Sequence, residues 1–209
     1  MKEKLKKFLV VEIALIAIIV IIIIINLFKY IYKFKIISEY QSNINELENY
    51  ILEIDGITMY VKGKVLVQTN NDELYVLTDK ENLKQYIISK NYYDYVEETE
   101  LPKTITMTMP AYSFFGLTNS SNMWEILKTD MNIKLSKETY KDIECYRLEA
   151  DSDETRREHI VYFDTNTKLP IAFKNNEKMQ DIKISVGVVT DEDISVDALV
   201  NKVKNINKE

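Results

Sequence analysis

Three hydrophobic rhythms follow one another along the chain. Phe8 to Phe28 is a run of 21 residues in which only Glu12 and Asn26 are polar. As a helix rising about 1.5 Å per residue it spans about 31 Å, the thickness of a bilayer's hydrocarbon core. The β-branched run Ile21 to Ile25 favours strand in water, but lipid makes each segment satisfy its own backbone, so a helix is expected. Next, Ile37, Tyr40, Ile44, Leu47, Ile51 and Ile54 recur at spacings of three and four. That period predicts an amphipathic helix stopped by Gly56. Its two and a half heptads are short for a coiled coil, so the stripe is expected to pack on the chain's own sheet.

From there the period drops to two. Ile57–Val61, Val65–Gln68, Leu74–Leu77, Gln85–Ser89 and Tyr92–Glu97 read as strands, with turns at Gly63-Lys64, Asn70-Asn71-Asp72 and Lys90-Asn91. Ile105, Met107 and Met109 alternate with Thr106 and Thr108, a further half-buried strand. Pro110 to Asn122 reads as a loop, and Asn122 with Glu125 resembles a capping box opening a short helix through Asp130. Ile143–Ala150, His159–Asp164, Leu169–Lys174 and Asp181–Val189 are four more strands. Leu169, Ile171 and Phe173 are expected on one face of the third, and Ile182, Ile184, Val186 and Val188 on one face of the fourth. The result is an antiparallel meander with one buried face. The fold class is therefore α+β, mostly β, behind one transmembrane helix.

Charge divides the chain as the apolar pattern does. Lys2, Lys4, Lys6, Lys7, Lys29, Lys33 and Lys35 flank the apolar run, whereas residues 36–209 hold 20 basic and 31 acidic side chains, a net of −11. An acidic domain of this kind is repelled by nucleic acid. The lysines suit lipid headgroups, and Tyr30 and Tyr32 suit an interfacial belt. The apolar run is longer than a signal peptide's and lacks a small-residue cleavage pattern after it, so an uncleaved anchor is expected. Four lysines before it against three after it place the N-terminus inside and the domain outside a cytoplasmic membrane. The expected organisation is a cytoplasmic tail (1–7), a membrane helix (8–28), a juxtamembrane segment (29–37) and an extracytoplasmic domain (38–209) that is a monomer. Usage rich in isoleucine, lysine, asparagine and tyrosine points to a bacterial, A+T-rich genome.

Candidate chemistry is sparse. The single cysteine, Cys145, excludes an intrachain disulfide and reads as a buried, inert thiol. The one histidine, His159, has no serine or cysteine partner at a telling spacing. Four scattered glycines make no phosphate-cradling loop. Asp191-Glu192-Asp193 and Asp151-Ser152-Asp153-Glu154 lack the glycine and terminal glutamate of a calcium loop and read as solvated turns. Arg156-Arg157 reads as a loop tip. No catalytic residue, cofactor or metal is expected.

Three segments carry a resemblance: Tyr140-Lys141-Asp142-Ile143-Glu144-Cys145-Tyr146-Arg147-Leu148, then Tyr162-Phe163-Asp164-Thr165-Asn166-Thr167-Lys168-Leu169-Pro170-Ile171, then Val189-Thr190-Asp191-Glu192-Asp193. With the order of elements over about residues 38–195, they resemble the lipoprotein-sorting, LolA-like family. The resemblance implies a half-open, strongly curved antiparallel sheet, a half-barrel lidded by helices, whose concave side accepts acyl chains. It departs in two ways: those carriers are soluble, and they use an arginine on an early strand, whereas the first arginine here is Arg147. No carrier residue is therefore transferred.

The expected function is a tethered, non-catalytic module that binds or senses membrane lipid or lipoprotein. The alternative is a regulatory or protein-interaction domain with a filled core, acting on a membrane-protein partner. Met107, Met109, Tyr112, Phe114, Phe115, Met123 and Trp124 gather adaptable and aromatic groups around one loop. They are the expected contacts for an acyl chain.

Overall fold

The computed structural model describes residues 2–70, 73–89, 96–102, 133–152, 157–175 and 178–205. The chain divides into two compact units, residues 1–41 and 42–209. The first is helical. Helix α1 runs without a break over Lys2–Asn45, its last four residues belonging to the second unit. Its stretch Val11–Tyr40 contains a segment long and apolar enough to cross a membrane. Ile16, Ile19, Ile23 and Phe28 stand exposed along it.

The second unit is built on one antiparallel sheet of eleven strands, ordered β6-β5-β4-β3-β2-β1-β11-β10-β9-β8-β7. In chain order these are β1 (Asn49–Ile54), β2 (Ile57–Lys62), β3 (Val65–Thr69), β4 (Leu74–Asp79), β5 (Lys84–Ser89), β6 (Val96–Glu100), β7 (Ile133–Tyr140), β8 (Ile143–Ser152), β9 (Arg157–Asp164), β10 (Pro170–Asn175) and β11 (Lys178–Val186). The chain thus enters at the middle of the sheet, steps outward to β6, resumes at the opposite edge with β7, and steps back to the middle. Two meanders join where β11 pairs with β1, from Tyr50 opposite Val186 to Ile54 opposite Ile182. Among the described residues the sheet is open, with β6 and β7 as its edges.

The expected amphipathic helix does not reach Gly56. α1 stops at Asn45, and Ile51 and Ile54 lie on β1. Two periods compete over this stretch. Tyr50, Leu52 and Ile54 also alternate, and all three are buried from one face of β1. Asp55-Gly56 decides between them. Both residues have positive φ, 47° and 79°, the two-residue hairpin geometry that Asp-Gly favours. Gly63-Lys64 joins β2 to β3 as expected, with Gly63 at φ 57°.

The C-terminal meander forms over residues 143–186, with two corrections. Pro170 faces Phe163 and Ala172 faces Tyr162, so Ile171 is the extra residue of a bulge. Leu169 precedes the strand, and the expected face of Leu169, Ile171 and Phe173 does not form. On β11, Ile182, Ile184 and Val186 do share a face, opposite Ile54, Leu52 and Tyr50. Val188 does not join them. Gly187, at φ 76°, turns the chain away and leaves Val188 exposed.

A 3-10 turn, Glu192–Ile194, and helix α2, Val196–Asn205, follow β11. Asp193 accepts bonds from the backbone N–H and the hydroxyl of Thr190, at 3.0 and 2.7 Å, which fixes the turn. Ser195 Oγ accepts from the Ala198 N–H as an N-cap. Leu199 and Val203 then sit one helical turn apart, packed with Val67, Tyr75, Leu77 and Ile88. Each buried aliphatic side chain contributes about 1.5–3 kcal/mol, which is what holds so short a helix in place.

Candidate functional site

Register assigns every described side chain to one of two faces, because directly opposed residues project to the same side. One face is apolar across the centre of the sheet. Leu148 and Val161 oppose one another, as do Phe173 and Val161, Leu52 and Ile184, Leu52 and Met59, and Val61 and Leu66. Leu52 and Phe163 are each 1% exposed. Outward the face becomes mixed, with Gln68, Thr78 and Gln85 beside Val76 and Ile87.

The other face changes character at β1. Over β3–β5 it carries Val67, Tyr75, Leu77 and Ile88, the residues α2 covers. Over β11–β7 it carries charge. Glu53 opposes Lys183 and is held by its ammonium at 3.0 Å. At the end of the sheet Asp55, in the hairpin turn, accepts from Lys178 at 2.8 Å and from Gln180 at 2.6 Å, two residues that register puts on the side of Phe173 and Ile182. Lys178 is the largest influence holding the Asp55 carboxyl below its usual range. Beside them an open cleft of about 310 Å³ is lined by Glu53, Asp55, Thr58, Asp181 and Lys183.

Asp181 links this cleft to the β7–β8 turn. Lys141 and Tyr140 both donate to it, Tyr140 Oη at 2.8 Å, and together they hold its carboxyl low. The Tyr140 hydroxyl is pushed up, first by desolvation and then by the bond to Asp181. Its ring stacks on Tyr162, with centroids 5.0 Å apart. Beyond Tyr162 lies a second cluster, in which Glu149 is held by Arg147 at 2.6 Å and Lys134 at 2.8 Å. Lysine–carboxylate pairs set close together in this way suit recognition of a polar surface carrying both signs.

The residues singled out in the sequence divide into two groups. Met107, Met109, Tyr112, Phe114, Phe115, Met123 and Trp124 lie outside the described residues, as do the strand 105–109, the helix 122–130 and Arg156. Cys145 is buried, its thiol donates to the Glu138 carbonyl at 3.4 Å, and burial pushes its pKa up. His159 stands on β9 opposite Ala150. Asp191 pairs with Lys62 at 2.6 Å, and Asp193 is occupied by Thr190. Among the described residues no three His, Cys, Asp or Glu side chains converge as a metal site requires. Sequence reasoning missed Glu53, Tyr140, Asp181 and Lys183. Alternation on β11 marks Asp181 and Lys183 as facing away from the apolar side, but nothing local reveals partners 41 and 130 residues away.

Comparison with known proteins adds no family: no family model matches the chain, and no curated protein does. What fold and site define, among the described residues, is an α+β unit on an open antiparallel sheet, in a chain with one helix long and apolar enough to cross a membrane.

Proposed function

We propose that this chain is a membrane-tethered, extracytoplasmic and non-catalytic module that binds lipid or lipoprotein through the apolar face of its sheet. The observation that carries the reading is the breadth of that face, to which strands from both meanders contribute. A sheet closed into a small barrel fills its interior with its own side chains, whereas an open sheet leaves an apolar face to be covered. An acyl chain is one such cover, and a membrane anchor keeps the face beside its source. The order of elements that resembles the lipoprotein-sorting family supports the same reading. Met107, Met109, Tyr112, Phe114, Phe115, Met123 and Trp124 remain the sequence's candidates for lipid contact.

A second reading has its own support. Tyr50, Leu52, Val61 and Phe163 are at most 2% exposed, the mark of a face already filled. A filled core turns function to the surface, where the charged cleft at Asp181 would meet a membrane-protein partner.

One experiment separates the two. The full-length chain is purified in lipid nanodiscs, and binding of a fluorescent fatty acid is measured beside a Val186→Glu variant. Val186 lies at the exposed end of the apolar face, so the change leaves the buried centre untouched. Saturable binding that the variant weakens supports the lipid reading. No saturable binding by the unaltered chain removes it and leaves the surface reading standing.

A further inference from the structure

We propose that β7 is a self-complementary edge through which two copies of this chain pair, antiparallel, into one continuous sheet. An edge strand presents a row of backbone donors and acceptors that another strand can complete, and charge is how such edges are usually closed. The two edges of this sheet are charged in different ways. β6 reads Val96-Glu97-Glu98-Thr99-Glu100. Any antiparallel self-pairing of three or more of its residues sets glutamate against glutamate, so β6 repels its own copy.

β7 reads Ile133-Lys134-Leu135-Ser136-Lys137-Glu138-Thr139-Tyr140, and here the signs alternate so as to match themselves. A two-fold axis through Ser136, normal to the sheet, places Lys134 of one copy opposite Glu138 of the other and repeats the pair by symmetry. An isologous contact requires that reciprocity. The axis also keeps each face continuous, since Lys134, Ser136 and Glu138 all project to the charged side with Glu149, Arg147 and Cys145.

Both charges also have partners within their own chain. Lys134 pairs with Glu149, but Glu149 also holds Arg147 at 2.6 Å and stays paired if Lys134 turns outward. Glu138 is met in cis by the Ser136 hydroxyl at 2.8 Å. Lys134 and Glu138 are exposed. A membrane anchor adds the local concentration that a weak two-strand contact needs, so pairing is a property of the tethered chain.

Cysteine cross-linking in vesicles tests this. Opposed Cα atoms in an antiparallel pair lie about 4.5–5.5 Å apart, within disulfide reach. Native Cys145 is buried and supplies the background. The full chain carrying Ser136→Cys, reconstituted in phosphatidylcholine vesicles and mildly oxidised, is expected to give a disulfide dimer, and Glu98→Cys on β6 is not. Adding Glu138→Lys to Ser136→Cys sets like charges across the axis and lowers the yield several-fold. Adding Lys134→Glu to that variant restores it, which also shows that the charge-reversed chain folds. A Ser136→Cys yield no higher than that of Glu98→Cys overturns the proposal, as does a yield that ignores both charge changes. So does an adduct in native membranes whose mass is not twice the chain's, which would mean that another protein occupies the edge.

Discussion

The Asn49 side chain donates to the Val189 carbonyl at 3.0 Å and accepts from the Val189 N–H at 2.9 Å. One amide thus closes both polar groups of a residue 140 positions away. The Asn49 main-chain carbonyl meanwhile accepts from Gly187 at 2.8 Å. The side chain therefore extends the β1–β11 ladder past the point where Gly187 bends the strand. It also aims the chain at Thr190, Asp193 and α2.

Asn49→Ala is expected to leave the Val189 peptide half-buried and unpaired. That costs about 1–3 kcal/mol, and each kcal/mol lowers the melting temperature of a domain this size by about 2–4 °C. Asn49→Asp keeps the acceptor and loses the donor, so it should fall between Ala and the native residue. Urea melts of the three chains order them.

Leu199→Ala should be among the most destabilising single changes in the second unit. Leu199 is buried against Val67, Leu77 and Ile88, and truncating a buried leucine costs about 2–5 kcal/mol. Lys202→Ala, at the exposed Asp193 pair, should change stability by less than about 1 kcal/mol. If denaturation gives the two variants equal midpoints, α2 is not packed as described.

Acid should destabilise the second unit through particular carboxylates. Asp181 is held below its ordinary 3.8 by Lys141 and Tyr140. For Asp193, burial works upward, but Thr190 and Lys202 outweigh it and the carboxyl is again low. A depressed folded value means stability present above the ordinary value and lost as pH falls through the folded one, here below about pH 4. Tyr140 behaves oppositely. Its value is raised above 10.0, so its contribution is intact below that pH and disappears as pH rises through the folded value. Asp181→Asn should flatten both limbs of a plot of denaturation midpoint against pH. An unchanged alkaline limb would show that Tyr140 does not depend on Asp181.

Two hairpin turns should respond in opposite directions to changes at glycine. Gly56 has φ 79° and open space where a Cβ would stand, so Gly56→Val is penalised by backbone conformation and not by a clash, by about 1–2 kcal/mol. At the β7–β8 turn Lys141 and Asp142 hold φ 48° and 66° without any glycine. Asp142→Gly relieves that strain and should raise stability by up to about 1 kcal/mol. Thermal melts check both.

The parts of this fold that were legible in the sequence are those whose neighbours are also neighbours in the chain. The apolar run predicts the membrane-length helix, and β8 to β11 follow from alternation and short polar turns. β1 was misread because Ile44, Leu47, Ile51 and Ile54 imitate a helical stripe across a helix end, although Asp55-Gly56 announced the hairpin. β7 was missed because an edge strand buries little, and Lys134, Lys137 and Glu138 break its alternation. α2 was missed because its ten residues are mostly polar, although Ser195 caps it and Leu199 and Val203 keep the spacing. The cleft was not legible at all. Its pairs join Asp55 to Lys178, Tyr140 to Asp181 and Glu53 to Lys183, and no local pattern encodes such distances.

The pairing of β1 with β11 sets the order in which this domain can be assembled. As the chain is made, β1 to β6 can zip together hairpin by hairpin while β1's other side still waits for a strand about 130 residues behind it. Until β11 arrives, Tyr50, Leu52 and Ile54 line the rim of a half-built sheet and can be claimed by any neighbouring chain. The closure of longest sequence separation comes last and is the slowest to find. Hence the newborn protein is most vulnerable at its centre and not at its ends.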